Sequence, residues 1–92
     1  MRVVISYDIS DDKRRRRVAK KMEGYGYRVQ YSVFECDLTA QQMKTLKKAL
    51  RPYVKAREGD SIRFYLIPAD AVEKIQVIGN DYARTLGVVA IV

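Results

Sequence analysis

Ninety-two residues, 48% of them apolar, suffice for one small core and exclude a second domain, and so short a chain is expected to gain stability by pairing with a second copy. Eighteen Lys and Arg against eleven Asp and Glu leave a net charge of +7, which draws polyanions; nucleic acid is the first partner to consider, a merely ion-rich surface the plain alternative. The lack of histidine removes imidazole bases and histidine-bound zinc, and a single cysteine excludes an intramolecular disulfide, so a reducing cytoplasm is expected, with no signal peptide and no membrane span.

The chain opens with Val3-Val4-Ile5-Ser6-Tyr7, whose alternation places Val3, Ile5 and Tyr7 on one face and Val4, Ser6 and Asp8 on the other, a strand ending at Asp8. Ser10 is read as the cap of a first helix over residues 11–23; Asp11 and Asp12 complement its dipole, Val18, Met22 and Tyr25 recur at helical spacing, and Gly24 and Gly26 stop it. From Tyr27 to Leu38 the pattern is strand-like but long, and a bend at Gln30-Tyr31-Ser32 makes it a hairpin of two strands. Thr39 with Gln42 forms a capping box for a second helix over residues 40–51, with Met43, Leu46, Leu50 and Tyr53 or Val54 as its apolar stripe and Pro52 as its breaker.

A turn at residues 57–60 leads into a strand over 61–67, where Ile62, Phe64 and Leu66 alternate with Arg63, Tyr65 and Ile67 until Pro68. Residues 69–73 read as a short connection, 74–78 as a last core or edge strand, 79–86 as a polar loop and 87–92 as an apolar tail that needs a partner. Strand, helix, two strands, helix, strand is the order of an α+β, ferredoxin-like split βαβ domain over residues 1–92, an antiparallel sheet with two helices on one face. A second protomer is expected to cover the bare face, with the tail from about residue 80 onward docking on the partner's sheet.

Without histidine the chemistry open to the chain is that of carboxylates, and phosphodiester hydrolysis runs on oxygen-ligated Mg²⁺ or Mn²⁺, which needs few protein ligands. Asp8, at a strand end, is the candidate metal ligand; the competing reading is that it helps cap the first helix. A two-fold axis near Asp8 would supply the second carboxylate that one chain lacks. Lys13, Arg14, Arg15, Arg16, Arg17 and then Lys20 oppose the helix dipole, so these six are candidate nucleic-acid contacts, against the plain reading of a solvated helix face. Most aromatics read as core, with Tyr7, Tyr31 and Phe34 kept as candidates to stack on bases, and Cys36 reads as a small core residue.

Tyr7-Asp8-Ile9 closing the first strand, Arg15 and Arg17 in the helix, and Arg28-Val29-Gln30-Tyr31-Ser32-Val33-Phe34-Glu35 after it together resemble the CRISPR-associated family called Cas-two, over nearly the full chain. The resemblance implies a ferredoxin-like homodimer with two Asp8 residues facing across the two-fold axis and a C-terminal strand completing the partner's sheet. It implies a metal-dependent endonuclease of RNA or double-stranded DNA that serves spacer acquisition as the bridge between dimers of a larger integrase. Tyr7, Asp8, Arg15, Arg17, Arg28 and Phe34 are the positions to which the family's catalytic role transfers. A non-catalytic scaffold that clamps the DNA backbone between integrase subunits is the alternative, and it predicts binding that falls steeply with salt and survives loss of Asp8.

Overall fold

The computed structural model describes residues 1–83, 86 and 90–91. At its centre lies β1 (Arg2–Asp8), followed by α1 (Asp12–Glu23), β2 (Gly26–Gln30), β3 (Val33–Asp37), α2 (Ala40–Leu50) and β4 (Ser61–Ile67). The strands form one antiparallel sheet in the order β2-β3-β1-β4, with Ile5 opposite Phe34 on one side and Phe64 on the other. Each helix thus connects two strands that have a third between them, the interleaved ferredoxin-like arrangement expected from the element order.

Alternation along β1 decides which face is dry. Val3, Ile5 and Tyr7 are buried against Val18 and Met22 of α1 and Leu46 and Leu50 of α2, with Phe34 and Cys36 of β3 completing the core. A fully buried apolar side chain of this size contributes roughly 1.5–3 kcal/mol. Burial also pushes the Cys36 thiol up to about 11, which leaves it a core residue and not a nucleophile. Both helices therefore lie on the Val3–Ile5–Tyr7 side, and Val4, Ser6 and Asp8 point the other way, toward what is here called the open face.

The cap of α1 differs from the sequence expectation. Asp11, not Ser10, accepts the Arg14 N–H at 2.9 Å, because Ser10 gives both its N–H and its hydroxyl to Asp60, at 2.9 and 3.0 Å. The glycine freedom expected at the helix end is also unused at Gly24, whose φ is −75°. Gly26 is required for closeness: a methyl there would lie 2.9 Å from Cys36 Cα and closer still to the Glu35 carbonyl oxygen, so no Cβ fits unless β2 moves off β3. The hairpin turns at Tyr31 and Ser32 with a bulge between Arg28 and Gln30. The Thr39–Gln42 box is present as expected, with reciprocal bonds of 3.1 and 2.9 Å.

Beyond β4 the expectations need correction. The short connection over 69–73 includes a turn of helix, α3 (Ala69–Val72). The strand expected over 74–78 shortens to β5 (Gln76–Val77), which joins no strand of the main sheet and pairs in parallel with β6 (Ala90–Ile91) of the same chain. Ile75, Val77 and Tyr82 line a groove with Val4, Val33 and Glu35, so the chain itself supplies part of the cover expected from a second copy. Residues 87–89 and 92 of the apolar tail lie outside the described residues, and β6 is its described part. Among the described residues no helix is long and apolar enough to cross a membrane.

Candidate functional site

Asp8 is the last residue of β1, exposed on the open face opposite Ser61, with Ser6 two residues before it on the same face. The capping reading of Asp8 fails, since Asp11 fills that place. Among the described residues Asp8 has neither a hydrogen bond nor an ion pair, which leaves its carboxylate free for a ligand. Also among the described residues, no group of three or more His, Cys, Asp and Glu side chains converges on a point where a metal would sit. On the same face the register sets Ser61 opposite Asp8 and Ser6 two residues before it, and carboxylate and hydroxyl oxygens are the ligand chemistry of a hard cation that keeps most of its waters.

Tyr7, Phe34, Arg28 and Arg15 form a cluster on the helix side. The Tyr7 and Phe34 rings lie 6.3 Å apart, Arg28 sits 5.3 Å over the Phe34 ring, and the Tyr7 hydroxyl donates to the Tyr31 carbonyl at 3.3 Å. Burial raises the Tyr7 phenol above its ordinary pKa, against the opposing pull of Arg28. Arg15 donates to the Ile9 carbonyl at 2.9 Å and pairs with Asp12, whose hydrogen bond holds the guanidinium charged. Phe34 and Tyr7 are 0% and 4% exposed, so neither has a ring face to offer a base; Tyr31, 73% exposed, has one. The stacking expectation for the first two is corrected accordingly: strand alternation turns both into the core.

The basic run of α1 divides by helical angle. Arg14 turns inward, bonded to Asp60, to Glu58 at 3.0 Å and to the Tyr53 carbonyl at 2.9 Å, and Arg15 is spent as described. Lys13, Arg16, Arg17, Lys20 and Lys21 are exposed. At 100° per residue these five fall within an arc of about 140°, and none has an acidic partner among the described residues. Exposed Lys44, Lys48 and Arg51 extend the basic surface onto and just beyond α2. All of this lies across the sheet from Asp8, so the fold does not bring Arg17 and Asp8 together on one face.

The sequence reading passed over Asp60, which is 6% exposed and accepts from Ser10, Arg14 and the Lys55 N–H. These bonds, that of the Ser10 N–H foremost, hold its carboxyl far below the usual range. A carboxyl depressed in the folded state contributes stability above its unfolded pKa of about 3.9 and loses it as pH falls through that value toward the folded pKa. The unfolding temperature is therefore expected to drop on acidification from about pH 5 to about pH 2. Asp60→Asn should lower it at neutral pH and flatten the acid limb; an unchanged limb, read by calorimetry, would remove Asp60 as its source. No local pattern marks this residue, because Arg14 lies 46 positions away in sequence.

The family model for CRISPR associated protein Cas2 matches residues 1–75. The chain is 48% identical over 77 residues to the CRISPR-associated endoribonuclease Cas2 1 of Chloroflexus aurantiacus, covering 84% of this chain and 83% of that protein. Among solved structures it is similar to Cas2 of Streptococcus pyogenes, with 37% identity and a TM-score of 0.73 over 86% of this chain and all of the other. It is also similar to a chain of a partial Cas6-RT-Cas1–Cas2 complex, with 31% identity and a TM-score of 0.66 over 77% of this chain and 82% of that one.

Proposed function

The chain belongs to the CRISPR-associated Cas2 family, and from that membership and the uncommitted carboxylate of Asp8 we propose that it is a divalent-metal-dependent endonuclease serving spacer acquisition beside a Cas1 integrase. RNA is the first substrate, because the Chloroflexus relative bears the name endoribonuclease, and double-stranded DNA the second. The observation that carries the reading is that Asp8 ends the central strand, exposed, with no side-chain hydrogen bond or ion pair among the described residues.

The working unit is a homodimer. One carboxylate per chain is a poor cage, and two Asp8 residues across a two-fold axis make an adequate one for Mg²⁺ or Mn²⁺. When bound, such an ion neutralises charge on the scissile phosphate and lowers the pKa of a bound water. The chain's own residues do the positioning. Tyr7, Phe34 and Arg28 brace the end of β1, and Arg15 pins the carbonyl of Ile9 next to Asp8, so the carboxylate is presented from rigid backbone.

Arg17, with Lys13, Arg16, Lys20 and Lys21, holds nucleic-acid backbone on the helix side without reading bases, while Arg14 serves the fold. The basic arc is thus a clamp for the same protein's substrate and not the mark of a non-catalytic one.

Labelled single-stranded RNA and duplex DNA of equal length, incubated with Mg²⁺ or Mn²⁺ and again with EDTA, test the proposal. Cleavage is expected with metal and none with chelator. Cutting that EDTA leaves undiminished would show that the reaction does not run on a divalent ion.

A further inference from the structure

Resting on the reading of the α1 arc as a clamp on nucleic-acid backbone, we infer that the clamp has one built seat for a backbone phosphate, between α1 and the turn after α2, where Arg17, Lys20 and Lys21 supply charge and the Tyr53 hydroxyl donates a hydrogen bond. The three cations are spaced i, i+3 and i+4, so they share one side of the helix. With Tyr53 they line a shallow cavity of about 260 Å³. That is below the roughly 300–1,000 Å³ of a site for a drug-sized molecule, and it suits a phosphate group with its waters better than a whole nucleotide. The cavity lies on the helix side of the sheet, so a second protomer over the open face leaves it clear.

Helix electrostatics account for part of this cluster. Lys20 and Lys21 stand in the last turn of α1, where cations complement the dipole. Arg17 lies outside that turn and gains little from it, and none of the three has an acidic partner among the described residues. Like charges around one small cavity repel one another, and a bound anion relieves that repulsion.

Tyr53 is placed by the network around Asp60. It ends a tight turn, Arg51–Tyr53, in which Pro52 fixes one φ angle, and its carbonyl accepts from Arg14 at 2.9 Å while Asp60 holds Arg14. The ring is half-buried against the core, so its face is not free for a base. Its hydroxyl has no hydrogen bond among the described residues. A tyrosine hydroxyl donating to a phosphate oxygen is a usual backbone contact and carries no sequence information.

The test measures anisotropy of labelled duplex DNA and of labelled single-stranded RNA with the native dimer across a salt series, in EDTA to prevent cutting. Tyr53→Phe is expected to weaken binding of both about tenfold and to leave the salt slope unchanged, since it removes a hydrogen bond to a charged group and no charge. Lys20→Gln should weaken binding and shrink the slope, by about 0.9 on the duplex and about 0.7 on the single strand, the values of one phosphate contact. With Lys20→Gln already present, Tyr53→Phe should cost less than tenfold, because both groups hold the same phosphate. Both substitutions spare the fold: phenylalanine keeps the ring that packs on the core, and Lys20 is exposed.

A Tyr53→Phe protein that binds both nucleic acids as tightly as its parent overturns the inference, as does a Tyr53→Phe loss undiminished by Lys20→Gln. A slope that drops with Lys20→Gln while Tyr53→Phe changes nothing keeps the clamp and removes the seat. A slope at its native value with Arg17, Lys20 and Lys21 all changed to glutamine removes the clamp, and the seat with it.

Discussion

Asp8→Asn is expected to reduce metal-dependent cleavage by on the order of 10²–10³-fold while leaving the fold, the dimer and nucleic-acid binding intact. Because the side chain is exposed and free of partners among the described residues, its stability change should stay within about 0.5 kcal/mol. Asparagine keeps the shape and removes the charge, and a neutral amide is a poor ligand for a hard cation. In the proposed dimer the substitution also removes two negative charges, so nucleic-acid binding should be retained or tighten slightly. Initial rates on RNA, with sedimentation to establish the dimer, provide the comparison, and cutting at the native rate would take Asp8 out of the chemistry. The same variant in a spacer-integration assay with the matched integrase separates two duties. Integration that persists without cutting would assign acquisition to the basic surface; integration lost while the dimer still binds DNA would make the Asp8 site part of that reaction.

What could be read in advance followed from short-range rules. Alternation over Val3 to Asp8 predicted that Tyr7 and Asp8 diverge, and the Thr39–Gln42 spacing predicted a cap, because both depend on neighbours within one element. The errors came from distance. Ser10 and Asp11 are both good caps, and the choice was made by Asp60, 50 positions from Ser10, which claims the serine. The same carboxylate takes Arg14 out of a basic run in which all five residues look alike in sequence. Gly26 looked like a helix stop and is a contact requirement between β2 and β3, visible only once Glu35 is known to lie against it. The pairing of Gln76–Val77 with Ala90–Ile91 is parallel and non-local, and no two-residue strand announces itself by periodicity.

Phe34→Ala is expected to cost about 3–5 kcal/mol of stability, against a total of roughly 5–15 for a protein of this size, and to lose activity chiefly by losing fold. The family resemblance extends a catalytic role to this position, but a ring that is 0% exposed touches no substrate. Its contacts are Tyr7, Arg28 and its strand partner Ile5, so removing it opens a cavity beneath the end of β1 and releases the cation stacked upon it. Phe34→Leu separates packing from chemistry, since it keeps most of the volume and should cost less than about 1.5 kcal/mol. Urea unfolding gives the stabilities, and cleavage measured well below each unfolding midpoint gives the activity of folded molecules. Activity that follows the folded fraction through both variants makes Phe34 a support for the strand that carries Asp8. A leucine variant that is folded yet more than about tenfold slower would instead mean that the aromatic ring, through its hold on Arg28, shapes the site itself.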